Sequence, residues 1–171
     1  MKRPNLSAAI TAVAFTLILV FGALATENPN FRAQLSGDEE VPPVNTLARG
    51  QAIFQLSKDG LSIDYQLIIA NIENVVAAHI HNAVTGVNGA VVAFLAGPFP
   101  AGGGRVNGVL AQGTITAANL VGPLAGHPIS DLIIEMRNGA TYVDVHTNDG
   151  VAPTNTGPGD FPSGEIRGQI E

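Results

Sequence analysis

Apolar residues recur at every second position through much of this chain, and that period makes the half-buried strand its basic unit. In LSIDYQLII, Leu61, Ile63, Tyr65, Leu67 and Ile69 fall on one face, and Ser62, Asp64 and Gln66 on the other. Successive side chains of an extended backbone point to opposite sides, so this is a strand pattern and not a helical one. GQAIFQLS, Gly50 to Ser57, repeats it with Ala52, Phe54 and Leu56 inward. Lys58-Asp59-Gly60 reads as the turn between them, so Gly50 to Asn71 is expected to be a hairpin. Further strands are expected at 31–36, 75–81, 90–96, 109–116, 141–147 and 164–170. Short strands parted by Gly, Pro and Asn predict an all-β sandwich or barrel.

One segment departs from the period. In SDLIIEMRNG, Leu132, Ile133 and Met136 lie at helical spacing, with Ser130 as a candidate N-cap and Asn138-Gly139 as a stop. The expectation is a short helix near 130–138; a strand ending in an Asn-Gly turn is the alternative. Residues 97–108 and 148–164 are loops by composition. Gly102-Gly103-Gly104 lacks the ending of a phosphate-binding loop.

The first 25 residues read as a targeting segment. Lys2 and Arg3 precede an apolar stretch that closes on Ala23-Leu24-Ala25, an A-x-A pattern that places cleavage after Ala25. Counted from Leu6, the apolar segment is also about long enough to span a bilayer, so an uncleaved anchor is the alternative. Either way residues 26–171 are expected outside the cytoplasm, with 26–30 as a short linker and 31–171 as the domain. The full chain has 8 Lys+Arg against 14 Asp+Glu. Without Lys2 and Arg3 the balance is 6 against 14, a net charge of −8. That balance argues against nucleic acid and against charge-driven docking on anionic lipid, leaving a retained leader as the route to a membrane. With no cysteine, the chain has no disulfide and no thiol chemistry, and a metal site must use His, carboxylate or carbonyl ligands.

Two of the four histidines stand in AAHIHNAVTGVNG. On a strand, His79 and His81 project from the same face, and imidazoles at that spacing can reach one ion at about 2.0–2.1 Å per nitrogen. In TYVDVHTND, Tyr142, Asp144 and His146 share one face against Val143 and Val145. His146 is therefore the candidate third ligand. His127, in Gly126-His127-Pro128, is turn-like and left outside. Neutral imidazoles suit copper or zinc; strand histidines that only hydrogen-bond are the competing interpretation. Charge is concentrated in SGDEEVPPV and SGEIRGQI. Glu165 and Arg167 share a face, and can pair with each other or with Glu40 and Asp144, either as exposed ion pairs or buried beside the histidines. In the latter case Glu40 or Glu165 would supply a ligand or fix an imidazole tautomer, and Arg167 would attract an anion.

Taken in order, FRAQLSGDEEVPPVNTLARGQAIFQL, AAHIHNAVTGVNGAVVAFL, TYVDVHT and SGEIRGQI resemble the chordin-type (CHRD) domain over nearly all of residues 31–170. The resemblance implies a secreted, extracellular β domain without an assigned activity. The link between VHT and GEIRGQ is longer here than is usual in that family, and reads as a lid or a surface loop. A weaker similarity to the Cu,Zn superoxide dismutase β-barrel lies in the order G-x-A-x-F, H-x-H, V-H and a Gly-rich last strand. It implies a Greek-key-like fold, superoxide-dismutase-like or immunoglobulin-like. Of that family's metal ligands, only His79, His81 and His146 find counterparts. Three functions stay open: a secreted or cell-surface binding module holding one copper or zinc ion, with an extracellular protein partner; a copper-dependent redox enzyme; and a structural module without metal.

Overall fold

The structure is a computed structural model, and it describes residues 30–171. The expected leader and its cleavage point lie outside the described residues, and Asn30, at the end of the expected linker, already begins the first strand. Eight strands form one antiparallel sheet: β1 (Asn30–Ser36), β2 (Arg49–Leu56), β3 (Ile63–Glu73), β4 (Val75–Asn82), β5 (Ala90–Ala96), β6 (Arg105–Ile115), β7 (Thr141–Thr147) and β8 (Ile166–Gln169). Their order is β5-β4-β7-β8-β1-β2-β3-β6. The sheet curls until its two outer strands approach each other. There the Tyr65 hydroxyl, on β3, donates to the Leu95 carbonyl of β5 at 2.6 Å. The result is a nearly closed barrel, as the period-two pattern predicts.

The interior is filled mainly by the inward faces of the strands other than β6, which buries only Ile115 fully. Ala52 and Phe54, Ile63, Leu67 and Ile69, Ala78 and Ile80, and Val143 and Val145 are all buried there. The β2–β3 hairpin turns at Ser57–Gly60, where the Gly60 N–H donates to the Ser57 carbonyl at 3.0 Å and Gly60 takes φ +72°. Leu61, expected inward, is exposed instead, because it belongs to this turn and precedes β3. β6 starts at Arg105, inside the segment expected to be a loop. Its register against β3 slips twice, and Gly108 sits at φ +104°. A glycine-bearing strand with irregular register does not display a clean alternation.

The expected helix forms as α1 (Ile129–Arg137). It buries Ile129, Leu132, Ile133 and Met136, a stripe at i, i+3, i+4 and i+7. Ser130 does not cap it. The N-cap position is Pro128, and Ser130 lies inside the first turn. The C-terminal stop behaves as read from Asn138-Gly139. Gly139 takes φ +63°, its N–H donates to the Met136 carbonyl, and the Ala140 N–H donates to the Glu135 carbonyl. This is the paired closure that left-handed glycine permits. Among the described residues no helix is long and apolar enough to cross a membrane.

Candidate metal centre

The three predicted histidines meet on the outer face of the barrel. β4 and β7 are adjacent and antiparallel, with His79 opposite Asp144, His81 opposite Tyr142 and Ala77 opposite His146. The alternate residues Ala78, Ile80, Val143 and Val145 point into the core, so the histidines must point out. His81 is nonetheless buried and His79 and His146 are half-buried, with Gly89 and Pro162, from the loops after β4 and β7, bonded to the His81 and His146 rings.

His79 Nδ1 and His146 Nε2 are 3.1 Å apart. One nitrogen from each of the three rings lies within 4.8 Å of the others. Two metal–nitrogen bonds of about 2.0–2.1 Å meeting at roughly 100° span a gap of 3.1 Å. Backbone carbonyls fix which nitrogen is bare. His81 Nδ1 lies 2.9 Å from the Gly89 carbonyl, and His146 Nδ1 lies 3.0 Å from the Pro162 carbonyl. A carbonyl only accepts, so both Nδ1 atoms carry hydrogen, and in the neutral rings both Nε2 atoms present lone pairs. His81 Nε2 is buried without a hydrogen-bond partner, an orphan that a cation would satisfy. Burial, with the neighbouring imidazoles adding to it, pushes His79 and His146 down to about 4. Burial lowers His81 as well, against the pull of its bond to Gly89. The three rings are therefore neutral at neutral pH, the state in which imidazole binds a metal. This three-histidine group could hold a metal ion.

Tyr142 and Phe94 complete the walls. The Tyr142 ring stacks on His81 at 4.9 Å and 14°, and Phe94 meets His79 edge-on at 4.9 Å. The Arg167 guanidinium lies 3.5 Å from the Tyr142 ring centroid. Since β7 runs between β4 and β8, the phenol ring separates Arg167 from His81. Arg167 is 2% exposed and spends its donors on the Val84 and Val87 carbonyls and Asn88 Oδ1. An Arg so placed has its donors committed to the loop before Gly89 and one face against the phenol ring.

The carboxylates divide. Glu40 and Asp144 face each other across Gly164, where a Cβ would stand 2.6–2.8 Å from their oxygens. Burial lifts Glu40 to about 7, and burial together with the charge of Glu40 lifts Asp144 in the same direction, against the opposing charge of Arg167. Glu165 is remote in role. It accepts from Thr46 Oγ1 at 2.6 Å, Thr147 Oγ1 at 2.7 Å and the Gly159 N–H at 2.8 Å, and so ties three segments together. No pairing of Glu165 with Arg167 forms: among the described residues the ion pairs are Arg105–Glu73 and His127–Asp131. All four charged groups are buried, so exposed ion pairs do not describe them. The His81 and His146 tautomers are set by carbonyls and not by Glu40 or Glu165. His127 stands apart, just before the Pro128 N-cap of α1, with its Nδ1 2.7 Å from Asp131 in the first turn of that helix.

Sequence reasoning left Gly89, Pro162 and the stacking role of Tyr142 unassigned. Two of these act through backbone carbonyls, which every residue has. Tyr142 carried a signal: it shares the alternating face of Asp144 and His146.

An antiparallel β-barrel carrying a three-histidine cluster on its outer face defines the class. The family model of the CHRD domain matches residues 31–170, and the chain belongs to that family. No curated protein and no solved structure matches the chain.

Proposed function

We propose that the protein is an extracytoplasmic binding module that holds one transition-metal ion on His79 Nδ1, His81 Nε2 and His146 Nε2. The observation that carries this reading is the convergence of the three nitrogens, with His81 Nε2 buried and unpartnered. Copper fits three neutral nitrogens, and zinc is the competing ion. With no metal between them, the 3.1 Å contact is a hydrogen bond from His79 Nδ1–H to His146 Nε2. With a metal, both nitrogens offer lone pairs. The ion would supply a charged, Lewis-acidic centre on the surface of the domain. The apolar leader and the CHRD family support a location outside the cytoplasm, secreted or at the cell surface. An extracellular protein partner is part of the same proposal.

The purified protein should take up about one equivalent of Cu(II) or Zn(II), and its melting temperature should rise. A ligand at 100 times its dissociation constant adds roughly 2.7 kcal/mol. Equal uptake by the His79→Ala/His81→Ala variant, or no change in melting with metal or chelator, would refute the site. The position of Arg167 behind Tyr142 gives no support to anion-steered redox catalysis.

A further inference from the structure

We propose that Arg167 and Tyr142 are positioning residues for His81, acting through the 83–89 loop and the peptide groups of Gly89; the metal-ligand part of this role rests on the proposed site. The His81 ring is held in two ways. Its plane is set by stacking on Tyr142, and its proton is set by the Gly89 carbonyl. Gly89 is itself pinned, because its N–H donates to the Tyr142 hydroxyl at 3.1 Å. Only glycine fits there, since a Cβ would overlap the Asn82 carbonyl.

The loop that delivers Gly89 is gripped from β8. Arg167 donates to the Val87 carbonyl at 2.9 Å, to the Val84 carbonyl at 3.4 Å and to Asn88 Oδ1 at 3.1 Å. Gln169 Nε2 donates to the Ala83 carbonyl at 3.0 Å. The same guanidinium lies over the Tyr142 ring. Arg167 therefore orders both supports of His81, the stacking ring and the accepting carbonyl. A planar fork of donors can serve several acceptors while covering an aromatic face, and a Lys ammonium cannot. His146 is an internal control. Its Nδ1 proton goes to Pro162, on a different loop that Arg167 does not bond.

The test uses the full chain, metal-free and 15N-labelled, with imidazole tautomers read by NMR. Wild type should show His81 and His146 each as a single Nδ1–H tautomer. In Arg167→Lys, His81 should become a mixture while His146 keeps its tautomer, and affinity for Zn(II) should fall about 10–100-fold, as removing an outer partner of a ligating histidine does. Should Arg167→Lys not fold, Tyr142→Phe keeps the ring and frees the Gly89 N–H, and it should loosen His81 in the same selective way. An unchanged His81 tautomer in the folded variant overturns the proposal, as does a parallel change at His146. If wild type takes up no Zn(II) or Cu(II), the metal reading fails, and the tautomers still decide the positioning role.

Discussion

At the scale of single residues, the site sets two opposed responses to pH. His79 and His146 are pushed down to about 4 from an ordinary 6.5. Their charged forms are disfavoured in the fold, so the stability they contribute is complete above 6.5 and is lost as pH falls through that value toward 4. Glu40 is pushed up from 4.5 to about 7. The fold then binds its proton more tightly than the unfolded chain does, and stability from this group falls as pH rises from 4.5 to 7. Glu40→Gln should therefore remove that decline, leaving a metal-free melting temperature that climbs more steeply between pH 4.5 and 7 than wild type; an unchanged slope would count against a buried, protonated Glu40. A second outcome concerns the metal. Protons should begin to displace it from His79 and His146 only as pH falls toward their depressed values of about 4, and not near 6.5 where a solvated imidazole would protonate. A metal-retention titration checks this.

At the scale of elements, the turn and cap residues carry measurable weight. Gly139→Ala meets open space, yet it must hold φ +63°, and it should cost about 1–2 kcal/mol in urea unfolding for that reason alone. Glu165→Gln should destabilise by about 1–3 kcal/mol, because a charged acceptor for Thr46, Thr147 and Gly159 becomes a weaker one. The strands were legible because one face of each is buried. Val143 and Val145 alternate with Tyr142, Asp144 and His146, and Ile63, Tyr65 and Leu67 alternate with Asp64 and Gln66. The same alternation made His79 and His81 a same-face pair and marked His146 as a third. It could not show that β4 and β7 are neighbours, since antiparallel pairing between distant segments leaves no local trace. Ser130 misled because good capping chemistry stood two residues past the actual N-cap, Pro128. The carbonyls of Gly89 and Pro162 were invisible because backbone acceptors have no letter in a sequence. Their residue types hint at tight chain paths, and no more.

At the scale of the whole molecule, the core and the site share the same strands on opposite faces. Phe54 and Leu67 fill the interior, and Phe54→Ala should cost about 3–5 kcal/mol. Because Phe54 points inward from β2, which β8 and β1 separate from β7 in the sheet order, metal uptake by the folded Phe54→Ala protein should match wild type, as calorimetric titration would show. The histidine strands β4 and β7 lie near one end of the sheet order, with β5 beyond them. The sheet's two outermost strands, β5 and β6, are also the two that would otherwise offer unpaired backbone to a neighbour. Tyr65 reaches across that seam to Leu95, and the chain after β6 comes back to bond β5 through the Val121 N–H and the Val92 carbonyl at 2.9 Å. An exposed sheet edge is a template on which other chains add strands and grow into fibres. With the two outer strands drawn together and β5 partly covered, less unpaired backbone is left on which a second chain could add a strand.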